Sequence, residues 1–149
     1  MKKVILVLIV GLFAISVKAQ TKEEIKKDFK GPIFQFENEV IDYGDIAKNS
    51  DGNRVFKFKN IGKAPLIITN VKSSCGCTVP KKPEEPIMPG ETGEIKVKYA
   101  TNRVGPFGKT VTIISNAFES QKILRVKGRV LDVNSEDLQK QKSIVSEKN

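Results

Sequence analysis

The chain has 149 residues, with 26 basic side chains against 17 acidic ones, a formal charge of +9 and a sequence pI near 9.6. It contains no histidine and no tryptophan, and its only two cysteines are Cys75 and Cys77. Without imidazole there is no Ser-His or Cys-His nucleophile, no histidine acid or base near neutral pH and no histidine-bearing zinc site, so any reactive chemistry rests on the two sulfurs.

Lys2 and Lys3 precede an uncharged run from Val4 to Val17 that leads into Ala19. A helix needs about 20 apolar residues to cross a bilayer, and this run is shorter; a basic start, a short apolar run and a small residue are the pattern of a signal peptide, here residues 1–19. Val17 stands where such signals prefer a smaller residue, which keeps a retained N-terminal anchor as the alternative. The expectation is export to the periplasm or out of the cell, with no transmembrane span after cleavage. That setting permits a disulfide. Losing Lys2, Lys3 and Lys18 leaves 23 basic residues against 17 acidic, a formal charge of +6. Such a balance suits anionic partners and also keeps a secreted domain soluble.

Residues 20–32 form a polar linker in which Thr21 and Glu24 have capping-box spacing ahead of Ile25 and Phe29, enough for a short, marginal helix. From residue 33 the apolar pattern takes a period of two. Phe56 and Phe58 alternate with Lys57 and Lys59, Ile95, Val97 and Tyr99 with Lys96 and Lys98, and Leu124, Val126 and Val130 with Arg125, Lys127 and Arg129. Each stretch reads as a half-buried strand. Further β-rich runs lie at Ile33 to Phe36, Val40 to Ile46, Leu66 to Val71 and Lys109 to Ser115. Asp51-Gly52, Pro89-Gly90 and Gly105-Pro106 supply turns, and Met88-Pro89-Gly90-Glu91 suits type II, with proline at the second position and glycine at the third. After residue 133 the tail, 134–149, is charged and is expected to be flexible or weakly helical.

About seven short strands without a strong helix among them predict an all-β, immunoglobulin-like sandwich over residues 33–133. The inward set is expected to be Phe34, Phe36, Phe56, Phe58, Leu66, Ile68, Val97, Tyr99, Val111, Ile113, Leu124 and Val126. Burial of one such side chain is worth roughly 1.5 to 3 kcal/mol, so the fold does not need a disulfide staple. Asn60-Ile61-Gly62 reads as a turn whose residues tolerate left-handed geometry, with Asn60 bonding to its own backbone, and Pro65 as the stop before Leu66 restarts a strand.

Two motifs mislead. Asp42-Tyr43-Gly44 lacks every accompanying kinase element, and Gly108-Lys109-Thr110 lacks the P-loop glycine spacing and runs into a strand instead of a helix. Glu84 with Glu85, and Asp42 with Asp45, are acidic pairs that nothing in their spacing distinguishes from solvated loop charges.

Cys75-Gly76-Cys77-Thr78 carries more. Residues two apart on an extended segment face the same way, and Gly76 lets the two Cα atoms come within disulfide reach. Three readings stay open: inert buried thiols or a local bridge, thiol exchange with a partner, and Cu(I) held by two thiolates with Met88 as an extra ligand. No other cofactor is expected.

Asp42-Tyr43-Gly44-Asp45-Ile46, the run from Phe56 through Asn60, Gly62 and Pro65 to Ile68, then Cys75-Gly76-Cys77-Thr78, Met88-Pro89-Gly90-Glu91 and Ser115-Asn116 stand in one order. That order resembles a bacterial domain-of-unknown-function family, an Ig-like sandwich akin to the ASPM/SPD-2/Hydin and major-sperm-protein type. The resemblance spans about Phe36 to Val130. It implies a non-enzymatic interaction or scaffolding module of the envelope, with Asn60, Gly62, Pro65, Gly76, Thr78, Pro89 and Gly90 as structural motif positions. In such a sandwich the Phe56 and Ile95 strands are neighbours, so Lys57, Lys59, Lys96 and Lys98 share an outer face that suits an anionic envelope component or an acidic partner protein. Nucleic acid is not expected, because no aromatic platform accompanies these lysines. A thiol-redox or Cu(I)-handling accessory role is the alternative.

Overall fold

The computed structural model describes residues 28–146. The 1–19 segment and most of the 20–32 linker, with Thr21 and Glu24, lie outside the described residues. Eight strands follow in chain order: β1 (Phe34–Phe36), β2 (Val40–Ala47), β3 (Asn53–Asn60), β4 (Ile68–Ser73), β5 (Thr78–Lys81), β6 (Thr92–Tyr99), β7 (Gly105–Ser115) and β8 (Gln121–Leu131). The charged tail expected to be flexible or weakly helical contains one helix, α1 (Ser135–Ser146). Asn134 Oδ1 caps it by accepting from the Asp137 N–H at 3.0 Å, and Leu138 is buried.

The strands form two four-stranded sheets, one in the order β1-β3-β6-β5 and the other β2-β8-β7-β4. Their apolar faces pack on each other, which makes the predicted all-β sandwich. Pairing is antiparallel except between β2 and β8, which run parallel. The alternation seen in the sequence is the alternation of burial: in β3 Phe56 and Phe58 point inward and Lys57 and Lys59 outward, and β6 repeats the pattern. Ten of the expected inward residues are buried, while Phe34 and Phe36 are half-buried on the short edge strand β1.

Phe107 of β7 also enters the core, as does Tyr43, which sits in a bulge of β2 between Asp42 and Asp45. Gly44 has φ +61° and its N–H donates to Asp42 Oδ1 at 2.8 Å, a local turn that rotates Tyr43 inward. There Tyr43 meets Phe107 edge to face at 5.3 Å, and Phe107 stacks on Tyr99 at 3.7 Å. Gly128 keeps the room they need, since a Cβ there would sit 2.8 Å from that of Tyr43. Phe34, Phe36 and Phe58 form a second aromatic cluster at the β1 edge, with centroids 5.1 to 5.4 Å apart.

Two expectations need correction. The strand expected from Leu66 starts at Ile68: Leu66 bridges to Ile87, and only from Ile68 does the chain pair with β7 in the other sheet. Pro65 therefore precedes a change of sheet. Secondly, neither Asn60 nor Gly62 has a positive φ; among the described residues the left-handed positions are Asn49, Gly44, Gly90 and Gly105. Gly62 is needed for close approach, because a Cβ there would lie 2.5 Å from the Ile33 nitrogen.

Candidate functional site

Cys75 and Cys77 are joined in a disulfide, their Cα atoms 5.4 Å apart. They lie between β4 and β5, where the chain crosses from one sheet to the other. Hydrogen bonds hold both sides of the crossing. Before it, the Ser74 N–H donates to the Thr110 carbonyl at 3.0 Å and Ser74 Oγ accepts from the Thr110 N–H at 3.1 Å. After it, the Cys77 carbonyl accepts from the Ala100 N–H at 2.8 Å. Cys77 is buried, Cys75 half-buried and Gly76 exposed, with nothing within 4 Å of where its Cβ would be. Thr78 is buried as well, and its Oγ1 has no hydrogen-bond partner among the described residues. Closing so short a loop removes only about 1.6 kcal/mol of unfolded-chain entropy, so the bond adds little to stability.

Met88 does not join this pair. It precedes the start of β6, whereas Cys77 bonds at its far end through Ala100, and eight extended residues, roughly 25 Å of strand, lie between those ends. Among the described residues no group of three or more His, Cys, Asp or Glu side chains is placed to hold a metal ion.

The four lysines singled out in the sequence do share a face. Cross-strand pairing sets Lys57 opposite Glu94, Lys96 opposite Val55, Lys98 opposite Asn53 and Lys59 opposite Thr92. On the far side of β6, Val79 lies opposite Lys98 and Lys81 opposite Lys96. The outer face of this sheet thus presents five exposed lysines around exposed Val55 and Val79, with Glu94 as the acid among them. None of the five is in an ion pair among the described residues. Lys81 and Val79 were missed in the sequence because β5 is short and hidden by Pro80, and Glu94 because the strand of Ile95 begins earlier, at Thr92. The alternation of Thr78 and Pro80 with Val79 and Lys81 was the signal for β5.

The other sheet presents a different outer face. Arg125, Lys127 and Arg129 stand beside Val40, Asp42 and Asp45, and Lys127 pairs with Asp42 at 3.1 Å. The Gly44 N–H, and then Lys127, hold the Asp42 carboxyl below its ordinary pKa. Asp42 and Asp45 are thus set among cations on this sheet.

Asn60 is the best-satisfied side chain of the motif and is fully buried. Its Oδ1 accepts from the N–H groups of Ile33 at 3.3 Å and Gly62 at 3.0 Å, and its Nδ2 donates to the carbonyls of Ala64 and Ile87, both at 2.9 Å. Far from bonding only to its own turn, it ties together segments 27 residues away on either side. Gly90, at φ +86°, completes the expected type II turn, in which the Glu91 N–H donates to the Met88 carbonyl at 3.0 Å. The Gly90 N–H docks that turn on the Asn60 carbonyl at 2.8 Å.

Comparison with solved structures bears out the fold. A protein of unknown function from Porphyromonas gingivalis W83 matches with a TM-score of 0.59 at 14% identity, over 67% of this chain and 47% of that one, so the chain spans about half its length. The seventh PapD-like domain of human CEP192, an ASH/PapD-like domain, matches with a TM-score of 0.56 at 6% identity, over 68% of this chain and 87% of that one. The VesB protease of Vibrio cholerae matches with a TM-score of 0.52 at 13% identity, over 74% of this chain but 34% of that one. At these identities the likeness is one of fold alone. No curated protein matches the chain. The sequence itself, over residues 34–130, matches the family described as "Protein of unknown function (DUF1573)", and the chain belongs to that family.

Proposed function

We propose that this domain is an exported, non-enzymatic interaction module that docks through the outer face of the β1-β3-β6-β5 sheet onto an anionic surface of the bacterial envelope. The observation that carries this reading is the set of five exposed lysines, Lys57, Lys59, Lys81, Lys96 and Lys98, that form no ion pair among the described residues, with Val55 and Val79 among them. The rigid ladder beneath fixes their spacing, so the face meets a partner with little loss of backbone freedom. Charge of this kind chiefly raises the rate of encounter and selects partners of opposite sign. Solvation alone would leave such lysines equally exposed, and an experiment separates the two.

The tagged chain, expressed in the cells that make it, is compared with the K57E/K59E/K96E/K98E variant for what co-purifies. The expected result is loss of the partner from the variant at unchanged expression and unchanged circular dichroism. Equal recovery by both proteins would remove the lysine face from the account. A non-enzymatic role agrees with the lack of histidine and with acidic side chains that are solvated or paired to cations.

A further inference from the structure

We propose that the Cys75–Cys77 bond is a site of thiol-disulfide exchange with a partner protein's dithiol, with Cys75 the sulfur attacked and Cys77 the sulfur released. This inference is independent of the lysine face.

Four observations support it. The two cysteines are unequal: Cys75 is half-buried at the surface, Cys77 is buried, and the exposed Gly76 between them has open space around it. A nucleophile therefore meets Cys75 first. The bond also closes only a short loop between strands that backbone hydrogen bonds already hold, so opening it need not unfold the sandwich.

Charge and hydrogen bonding favour the products. Ser73 pairs with Val111 and Ser74 bonds to Thr110, so Lys109, the next residue along β7, stands at the end of the ladder from which the chain turns into Cys75. A neighbouring ammonium favours a thiolate over a thiol, both for the incoming sulfur and for Cys75 once freed. Next to Cys77, the buried Thr78 hydroxyl has no acceptor among the described residues in the disulfide form. A buried hydroxyl without a partner is costly, and release of the Cys77 sulfur from the bond frees that side chain to turn toward it.

The exchange balances. A thiolate of the partner forms a bond to Cys75 Sγ as the Cys75–Cys77 bond breaks, and the electron pair leaves on Cys77 Sγ, which takes up a proton. The partner's second thiolate then attacks its own sulfur in the mixed disulfide and releases Cys75 as a thiolate. Two electrons pass from the partner dithiol, which becomes a disulfide, to the cysteine pair.

The full folded chain is treated with dithiothreitol, and the freed thiols are alkylated and counted by mass, with circular dichroism followed in parallel. Both thiols should become alkylatable in native buffer without loss of β-sheet signal. In the single variants, oxidised glutathione should form a mixed disulfide on Cys75 of C77S at least about tenfold faster than on Cys77 of C75S. K109Q should move the pH profile of the C77S reaction to higher pH, and T78V should slow reduction of the native bond. A bond that resists dithiothreitol until urea unfolds the chain overturns the proposal, as does equal reactivity of the two single variants.

Discussion

Asn60 shows how much one side chain can organise. All four of its hydrogen-bonding positions are used inside the fold, and truncation to alanine strands the N–H groups of Ile33 and Gly62 and the carbonyl of Ala64, while the Ile87 carbonyl keeps the Leu66 N–H. Each buried polar group left unpaired costs about 1 to 3 kcal/mol, less where water enters. N60A is therefore expected to lose at least about 3 kcal/mol in urea unfolding, while I61A, on an exposed neighbour, stays within about 0.5 kcal/mol of the parent. The sequence made the local part of this role legible, since asparagine before a glycine marks a turn. It could not reveal the rest, because nothing in the spacing says that Ile33 and Ile87 return to the same point.

Lys122 offers a second test at this scale. Burial pulls its pKa down, but Glu39 and Glu119, whose carboxylates lie 2.5 and 3.3 Å from Nζ, more than reverse that and leave it raised. A cation with a raised folded-state pKa contributes stability that is complete below its unfolded value of about 10.4 and is lost as pH rises through the folded value. The parent should exceed K122M by about 1 kcal/mol at pH 7, a modest figure because both carboxylates are partly exposed, and the gap should close above about pH 10.5. Urea midpoints across that range measure it.

Among the elements, the strands with clean alternation, β3, β6 and β8, were readable from period alone because each has one face in the core and one in water. β5 was not. Its four residues include Pro80, which a strand accepts only where the missing N–H faces an open edge, and β5 is an edge. The Asp42-Tyr43-Gly44 bulge was equally hidden, because its role depends on the space Gly128 leaves across the sheet. The cysteine crossing between β4 and β5 yields a prediction of its own. Replacing both cysteines by alanine should lower stability by no more than about 2 kcal/mol and leave the circular dichroism spectrum intact, since the bond closes a loop too short to constrain the unfolded chain strongly. A collapse of the fold would show that the bridge holds the sheets together.

On the scale of the whole molecule, the two outer faces differ in charge balance. One mixes Arg125, Lys127 and Arg129 with Asp42 and Asp45, whereas the other sets five lysines around Glu94, with Asp51 and Glu84 at its margins. Composition gave only the net sum. The sharing of a face by Lys57, Lys59, Lys96 and Lys98 followed from period two once their strands were taken as neighbours, but the register that adds Lys81 and Glu94 needed the folded chain. A docking surface built this way must be sensitive to ionic strength, because salt screens exposed charges within about 10 Å at 0.1 M. The most direct measurement is retention of the folded domain on envelope preparations from its own cells as salt is raised, beside the K57E/K59E/K96E/K98E variant. Steep loss of the parent with salt and weak retention of the variant at every concentration are predicted; retention that neither salt nor the four substitutions change would contradict the account.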